Sequence, residues 1–249
     1  MKSMLAANWK MHKTRAEARE TAIALAKAVA SLPEDREVVV FAPYTVLDVC
    51  AEAFKGGSVG LGGQNVYPAD HGAFTGEISP AMLRDCGCAH VLTGHSERRA
   101  LMGEDSVLVG EKTAFALERG LKVTMCIGET LEQREDGQLE SVLAEQITLG
   151  LALVADTVSP EMLAIAYEPV WAIGTGKVAG PREILEAHAF VRRLLVQRFP
   201  KQGHAIRILY GGSVKPENAG ETLALEHVNG VLVGGASLDA QSMAHIALA

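Results

Sequence analysis

The sequence predicts an α/β fold, a closed (β/α)8 barrel that forms a single domain over residues 1–249. Eight short apolar runs of strand length recur along the chain with helical patterns between them, and this alternation indicates parallel strands covered by helices. No Pro/Ser-rich linker or shift in composition divides the chain. Eight strand–helix units in about 250 residues match a closed barrel, although an open, doubly wound sheet would show nearly the same alternation.

The eight strands are predicted, in order, at "MLAANW", "EVVVFA", "SVGLGGQN", "AHVLTG", "KVTMCIG", "MLAIAYE", "AIRILYGG" and "GVLVGG". Apolar spacing predicts helices between them, among them "TRAEARETAIALAKAVA", "SVLVGEKTAFALERG", "PREILEAHAFVRRLLVQRF" and "ENAGETLALEH". The segment "LEQREDGQLESVLAEQITLGLALVA" also has helical spacing, with a break expected near Gly137. Pro181 suits the first position of the helix after the sixth strand.

The charge balance argues against a nucleic-acid partner. The formal net charge is −7, and no cluster of Lys and Arg is available to grip a phosphate backbone. No apolar run reaches the roughly 18 residues that a membrane helix needs. The start, "MKSMLAANWK", lacks the apolar core and cleavage site of a signal peptide. We therefore expect a cytoplasmic protein with no membrane segment.

Four cysteines, Cys50, Cys86, Cys88 and Cys126, are too few and too irregularly spaced for a disulfide framework. In "CGCAH" the two cysteines and His90 alternate, so an extended chain would place them on one face, as in a metal site. The spacing does not match known zinc patterns, and small buried thiols are the favoured interpretation. We expect no bound metal.

Polar residues and glycine pairs gather where the predicted strands end. They are Asn8, Lys10, Gln64, Asn65, His95, Glu129, Glu168, Ser213, Gly234 and Gly235. The C-terminal ends of the strands form the face on which such barrels carry their chemistry. The sequence therefore predicts a functional site at this face.

A long connection of about twelve residues, 169–180, follows the sixth strand, where about 2 to 6 residues are usual. Its small and apolar residues suggest a movable flap over a site, or an ordinary surface loop. Glu168 directly precedes it and is held extended by Pro169. A carboxylate covered by a flap would have a raised pKa and could act as a base; the alternative for Glu168 is a structural ion pair.

Two further candidates lie after the first and fourth strands. Asn8 and Lys10 alternate with apolar neighbours and so point to one side of the first strand. Lys10 either meets an anion or reaches into water, and Asn8 is a site residue or a turn residue. His95 leaves the fourth strand, where Ser96 is expected to cap a short helix whose first turn carries Glu97. The positive helix end disfavours an imidazolium, so His95 is a neutral hydrogen-bond donor or a structural group.

Glycines suggest a phosphate site. "YGGSV" follows the seventh strand, "VGGAS" follows the eighth, and Gly174 and Gly176 lie in the flap. Glycine lets backbone N–H groups approach an anion, and the loops after strands seven and eight are the usual phosphate position in these barrels. A tight turn after a strand would explain each glycine pair equally well.

Motifs for other chemistries are incomplete. "GTGKV" departs from the phosphate-binding P-loop, because Trp171 and Val178 stand where glycine and Ser/Thr are needed. No G-x-G-x-x-G opens a helix, and "GGSVK" lacks the last glycine of a nucleophile elbow. The sequence therefore does not support nucleotide binding or serine hydrolysis.

Five stretches, "NWKM", "GHSERR", "YEPVWAIGTGK", "YGGSVKPEN" and "LVGGASL", closely resemble the triosephosphate isomerase family, and the resemblance runs from Asn8 to the end of the chain. It implies the TIM barrel fold. The roles it implies are Glu168 as base, His95 as electrophile, Lys10 and Asn8 as partners of the substrate oxygens, and Gly174, Ser213, Gly234 and Gly235 as phosphate contacts. We also expect Glu97 to be a catalytic residue; the alternative is an ordinary acid at the start of the helix.

The resemblance also implies the reaction, an aldose–ketose isomerisation of dihydroxyacetone phosphate and D-glyceraldehyde 3-phosphate through an enediol(ate), in glycolysis and gluconeogenesis. This reaction requires no cofactor. The alternatives are a Schiff-base aldolase and a non-catalytic barrel that binds phosphorylated ligands. Two positions depart from the family pattern, Val178 in the flap and Thr93 before "GHSERR".

The connection after the third strand, residues 64–79, is again long, and it carries Val66, Tyr67, Phe74 and Ile78. An apolar exposed loop more often meets a partner surface than water, and the alternative is a loop folded over its own barrel. We expect a homodimer. The resemblance implies that Thr75 at the loop tip lies near the partner's active site, and that Gln64 and Asn65 lie near the interface.

Overall fold

Eight parallel strands close into a barrel in the computed structural model, which describes residues 1–172 and 179–249. Each strand pairs with the next along the chain, and β1 pairs with β8 in the register Met4↔Gly230 to Ala7↔Val233. This last pairing excludes an open sheet, so the predicted closed (β/α)8 barrel is confirmed.

All eight predicted runs form strands. They are β1 (Ser3–Asn8), β2 (Arg36–Ala42), β3 (Val59–Gly63), β4 (His90–Thr93), β5 (Lys122–Ile127), β6 (Leu163–Tyr167), β7 (Arg207–Tyr210) and β8 (Gly230–Val233). They are short because alternate residues must fill a narrow interior, and only a few layers of side chains fit there.

The helices lie between the strands. They are α1 (Arg15–Ala28), α2 (Leu47–Phe54), α3 (Pro80–Asp85), α4 (Ser96–Met102), α5 (Ser106–Glu118), α6 (Leu131–Glu135), α7 (Leu139–Gly150), α8 (Pro181–Arg198), α9 (Pro216–Leu223) and α10 (Ala240–Leu248). Three short 3₁₀ turns accompany them at Tyr44–Val46, Val170–Ala172 and Gly235–Leu238. Gly137, with φ of 69°, separates α6 from α7 as predicted, and α8 begins at Pro181 as predicted.

Two apolar layers result from strand alternation. Inward-facing residues form one cluster inside the barrel: Met4, Ala6, Val39, Phe41, Leu92, Cys126, Ala166, Leu209 and Leu232. Their outward-facing neighbours, such as Leu5 and Ala7 on β1, join the larger cluster beneath the helices. The strands are therefore buried on both faces, as parallel barrels require.

The residues of "CGCAH" do not share one face. His90 points into the barrel, where its Nε2 lies 3.7 Å from Oε1 of Glu37. Cys88 lies in the outer apolar cluster with Cys50, and burial raises the pKa of both thiols to about 12. These are small buried thiols, and the arrangement needed for a metal site is lost.

Thr93, the departure noted on β4, is fully buried. Its hydroxyl is 2.9 Å from that of Thr113 on α5, so the two hydroxyls satisfy each other. In the described part of the chain, no helix has the length and apolar character needed to cross a membrane.

Candidate active site

Strand alternation brings four predicted or neighbouring site positions to the same mouth of the barrel. Ala6, Ala166, Leu209 and Leu232 face inward, and the residues two positions later are Asn8, Glu168, Gly211 and Gly234. Because the side-chain period of a strand is two, these later residues continue the inward rows beyond the last apolar layer. The functional face predicted from the sequence therefore exists as one contiguous opening.

Lys10 has an unusual backbone. Its φ is 50°, in the left-handed region that a residue with a Cβ seldom adopts. The buried Asn8 accepts a hydrogen bond from the Lys10 backbone N–H at 3.0 Å, and the Gln64 amide donates to the Lys10 carbonyl at 2.9 Å. Gln64 also donates to the carbonyl of Phe41 at 3.1 Å. Strain held in this way by neighbours is common at functional sites.

The Lys10 ammonium points across the opening rather than into bulk water. Its Nζ lies 2.6 Å from Oε1 of Glu97, and its side chain is only 25% exposed. A Cβ placed on Gly234 would lie 3.3 Å from Lys10 Cε. The charge therefore stands beside the glycine pair after β8, so a site residue is supported over the solvent-exposed alternative.

His95 ends the turn after β4 and is itself the N-cap of α4. Its Nδ1 accepts the backbone N–H of Glu97 at 3.3 Å, so Ser96 is not the cap and that prediction was wrong. A ring nitrogen that accepts an N–H carries a lone pair, which puts the proton of the neutral ring on Nε2. That nitrogen faces Glu168, at 3.0 Å from Oε1.

Glu168 is 2% exposed, and both of its oxygens are occupied. Oε2 accepts the backbone N–H of Ser96 at 2.9 Å, and Oε1 contacts His95 Nε2 and, at 3.3 Å, the Ser96 hydroxyl. Burial, with a smaller contribution from the charge of Glu168, raises the pKa of the buried Cys126 thiol well above its usual value. In this arrangement the carboxylate is held by α4 and not aimed across the opening.

The expected rise in the pKa of Glu168 is not found. Burial raises this pKa, but the charge and hydrogen bond of His95, the Ser96 N–H and Lys10 outweigh it, so the pKa of Glu168 lies below 4.5. Burial lowers the pKa of His95, and the contact with Glu168 raises it above 6.5. Each partner thus stabilises the charged form of the other only while they are in contact.

Two glycines make room for Glu168, a role that the sequence did not indicate for either of them. A Cβ on Gly128, after β5, would collide with the Glu168 backbone carbonyl. A Cβ on Gly211, after β7, would lie 2.9 Å from Glu168 Cγ. Each glycine directly follows a strand, and this position is the feature of the sequence that could have indicated its role.

The predicted phosphate residues of the seventh and eighth loops lie at the same mouth. Ser213 and Gly234 are half-buried and Gly235 is exposed. The Ser237 hydroxyl donates to the Gly234 carbonyl at 2.7 Å, which closes the turn after β8. Gly174, like Val178, lies outside the described residues.

A second carboxylate, Glu129, supports the start of the connection 169–180. It is fully buried, and its Oε1 accepts Tyr167 Oη at 3.0 Å and Trp171 Nε1 at 2.8 Å. Arg134 lies 3.4 Å away, and burial still leaves the pKa of Glu129 raised. The sequence placed Glu129 at a strand end, but nothing in it indicated the tyrosine and tryptophan as partners.

The loop 64–79 is less uniformly apolar at its surface than expected. Of the four apolar residues named above, Val66 is fully buried, Tyr67 and Ile78 are half-buried, and Phe74 is 42% exposed. The rings of Tyr67 and Phe74 stack with centroids 4.4 Å apart. The base of the loop packs on its own barrel, whereas residues 71–77, including Thr75, are exposed.

Buried polar contacts fix the base of this loop. Tyr44 Oη donates to the Asn65 carbonyl at 2.7 Å, and Lys112 Nζ donates to Asn65 Oδ1 at 3.0 Å. Lys112 Nζ also lies 2.5 Å from Oε1 of Glu104. Glu104 in turn forms an ion pair with Arg98. The exposed tip therefore stands on a rigid base.

This geometry suits proton transfer next to a carbonyl. A buried carboxylate, a ring N–H and an ammonium converge on one opening, and the ammonium lies beside a glycine turn that suits a phosphate.

Comparisons with known proteins identify the family of the chain. A family model described as triosephosphate isomerase matches residues 3–249. Triosephosphate isomerase of Nitratidesulfovibrio vulgaris (strain DSM 19637 / Miyazaki F) is 62% identical over 251 residues, and that of Oleidesulfovibrio alaskensis is 59% identical over 250 residues, each covering 100% of both chains. The crystal structure of triosephosphate isomerase from Bartonella henselae superimposes with a TM-score of 0.90 at 38% identity, covering 99% of this chain and 98% of that one. The chain belongs to the triosephosphate isomerase family.

Proposed function

We propose that the chain interconverts dihydroxyacetone phosphate and D-glyceraldehyde 3-phosphate through an enediol(ate), with Glu168 as the base. The observation that supports this best is the convergence of Glu168, the His95 Nε2–H and the Lys10 ammonium at one mouth of the barrel. The family relationship supports the same reaction. A Schiff-base aldolase would want a lysine at the end of the sixth strand, where β6 ends at Tyr167 and Glu168 follows.

Glu168 has to leave its contacts with Ser96 before it can act. Both carboxylate oxygens contact Ser96 or His95 in this structure, so the carboxylate is directed at α4 and not at a substrate carbon. On leaving, the carboxylate loses the His95 and Ser96 contacts that lower its pKa, while its burial remains. Its pKa then rises, and it becomes the stronger base that abstraction of a C1 proton requires.

The same movement prepares His95. Glu168 raises the pKa of the ring, and burial lowers it, so departure of Glu168 favours the neutral form. The backbone N–H at Nδ1 keeps the proton on Nε2, where it can donate to a substrate oxygen. A positioned base contributes about 10² to 10⁴-fold and a placed oxyanion donor about 10² to 10³-fold, so both are needed.

Lys10 and Asn8 supply the electrostatic part of the site. The ammonium stabilises negative charge on the substrate and on the enediolate, while Asn8 holds the strained backbone that aims it. Glu97 is the present partner of the ammonium and orients it. Ser213, Gly234, Gly235 and Gly174 bind the phosphate, and the connection 169–180 acts as the lid that keeps water from the enediolate.

The working unit is a homodimer of single-domain chains 1–249. The exposed tip of the loop 64–79 carries Phe74, which is 42% exposed, and stands on a fixed base. Large apolar side chains outside the loop are exposed as well, among them Met11 at 94%, Met82 at 53%, Leu101 at 74% and Met102 at 65%. Exposed apolar residues of this size favour a partner surface. Thr75, Gln64 and Asn65 lie at that interface.

The experiment that tests the function measures the isomerisation of dihydroxyacetone phosphate. The product is detected with a glyceraldehyde 3-phosphate dehydrogenase as coupling enzyme. The wild type should turn over rapidly, and Glu168→Gln should lower kcat by about 10² to 10⁴-fold while phosphorylated analogues still bind. Near-normal turnover by Glu168→Gln would refute the base assignment. An adduct trapped by borohydride would instead favour the aldolase. The reaction belongs to glycolysis and gluconeogenesis. We place the protein in the cytoplasm, and cell fractionation tests this location.

A further inference from the structure

His188 is a buried histidine that the proposed chemistry does not use. It lies on α8, the helix that follows the connection 169–180, and it is 0% exposed. Burial lowers its pKa to about 4. A fully buried imidazole in this position is therefore neutral and has one donor and one acceptor to satisfy.

The tautomer of His188 follows from its one hydrogen bond. Nδ1 is 3.2 Å from the backbone carbonyl of His227, and a carbonyl only accepts, so Nδ1 carries the proton. Nε2 then presents a lone pair. Within the described residues, this atom has no hydrogen-bond partner. A buried acceptor without a donor is rare and requires an explanation.

Tyr210 supplies the complementary group. Its hydroxyl is buried and also has no hydrogen-bond partner among residues 1–172 and 179–249. Burial, with a smaller contribution from Glu183, raises the pKa of Tyr210 to about 12, so the hydroxyl keeps its proton. The rings of His188 and Tyr210 are neighbours, with centroids 6.4 Å apart and planes at 48°. One ring thus has a spare acceptor and the other a spare donor.

Tyr210 connects this pair to the phosphate loop. It is the last residue of β7, and Gly211, Gly212 and Ser213 follow it directly. A Cβ on Gly212 would collide with the Tyr210 hydroxyl, so this hydroxyl lies against the backbone of that loop. Any restraint on the hydroxyl therefore restrains the loop that leads to Ser213.

His188 also contacts the support of the flap. Its ring packs edge-to-face on Tyr167, with centroids 5.9 Å apart and planes at 89°. Tyr167 donates to Glu129, which also accepts the indole N–H of Trp171. His188 thus lies between the tyrosine that supports the start of the flap and the tyrosine that supports the phosphate loop.

We propose that His188 is a positioning residue for the isomerase site: its Nε2 accepts a hydrogen bond from the Tyr210 hydroxyl, directly after a small shift of the tyrosine ring or through one buried water, and so holds the phosphate loop in its binding position. His188 touches no substrate atom and acts through Tyr210. The inference rests on the proposed isomerase function.

Two substitutions distinguish the roles of the two ring nitrogens of His188. His188→Asn places an amide donor near Nδ1 and keeps the bond to His227, but it removes the acceptor at Nε2. His188→Gln reaches the Nε2 position with an amide oxygen and restores the acceptor. We expect His188→Asn to raise KM for dihydroxyacetone phosphate, and Kd for inorganic phosphate, by about five- to thirty-fold. His188→Gln should recover most of this loss, and the exposed His204→Asn should change neither constant.

A double-mutant cycle tests whether the effect passes through Tyr210. If it does, His188→Asn should have little further effect on KM in a Tyr210→Phe background. The proposal would be overturned if the effects of His188→Asn and Tyr210→Phe on KM multiplied in the double variant. Equal losses in His188→Asn and His188→Gln, or a lower Tm of His188→Asn with unchanged KM, would also overturn it. If the wild type itself failed to isomerise the substrate, the proposed function would be wrong instead.

Nitrogen NMR of wild-type His188 supplies a measurement that survives any folding failure of its variants. We expect Nδ1 to be protonated and the Nε2 resonance to move when Tyr210 becomes phenylalanine. A protonated Nε2, or an Nε2 resonance insensitive to Tyr210→Phe, would contradict the proposed hydrogen bond.

Discussion

Nε2 of His95 lies 3.0 Å from Oε1 of Glu168, and the residue next to His95 donates its backbone N–H to the other oxygen of the same carboxylate. The proposed electrophile and its neighbour thus hold the proposed base in place. The contact keeps the pKa of Glu168 low in the free protein, and breaking it changes the basicity of both partners in the direction that proton abstraction needs.

The acid side of the pH–rate profile should report this contact. The base works unprotonated and His95 works neutral. In the free protein their contact lowers the pKa of Glu168 and raises that of His95, so protonation of this coupled pair should set the acid limb of kcat/KM. His95→Gln removes both the titrating ring and its contact with Glu168, so the acid limb of kcat/KM should report Glu168 alone, with its pKa raised by the loss of this partner, and should leave its wild-type position. The profile is measured between pH 4 and 9, with the exposed His245→Gln as control. An acid limb that does not move would contradict the coupling.

Gln64 should matter for catalysis through the backbone of Lys10. Gln64→Leu removes the amide that donates to the carbonyls of Lys10 and Phe41, so the left-handed turn at Lys10 loses support. We expect kcat/KM to fall by about tenfold, from the typical loss of a partly buried hydrogen bond. Lys10→Met should cost about 10²-fold or more and weaken phosphorylated inhibitors as well. The exposed Gln241→Leu is the control.

Sedimentation separates this effect from dimer formation, because Gln64 also lies at the proposed interface. If Gln64→Leu remains as associated as the wild type but is slower, the Lys10 explanation holds. Full activity in Gln64→Leu would show that the turn does not need the amide.

Gly211 should tolerate no side chain. In Gly211→Ala the new methyl would meet Glu168 Cγ at 2.9 Å and the Tyr167 carbonyl at 3.2 Å, so the base has to shift. A displacement of about 1 Å at a reacting group costs roughly 10²-fold, which is the expected loss in kcat. Gly220→Ala is the matched control, because a Cβ there meets nothing within 4 Å. Equal activity of the two variants would show that Glu168 is not confined on this side.

Thr75→Arg should weaken association and catalysis together. The change would bury an unpaired charge if the exposed loop tip enters a partner, and such a charge strongly destabilises an interface. Sedimentation and kcat/KM are measured at several micromolar protein concentrations beside Thr157→Arg, whose position is also exposed but lies outside the loop 64–79. A wild type that sediments as a fully active monomer would overturn the dimer proposal.

Local patterns in the sequence predicted most of the fold. The eight apolar runs each became a strand, Gly137 separated α6 from α7, and Pro181 opened α8. These features depend on neighbours within a few residues, because strand burial, helix periodicity and proline geometry are local. The choice of a closed barrel over an open sheet depended on pairing between β1 and β8, which no local pattern encodes.

The site followed a similar division. The order of strand-end residues indicated Asn8, Lys10, His95 and Glu168, since the ends of parallel strands must meet at one face. The sequence did not indicate that the Ser96 backbone N–H binds Glu168, that His95 is the N-cap of α4, or that Gly211 makes room for the base.

The sequence by itself determined the succession of strands and helices along the chain, the residue types at the strand ends and the family relationship, because these depend on short motifs and their succession. Only the tertiary structure decided the ionisation of Glu168. Its pKa depends on the balance between burial, which raises it, and partners 72 and 73 residues away at Ser96 and His95, which lower it. Electrostatic energies are set by distance and burial in space, and both arise only once the barrel has closed.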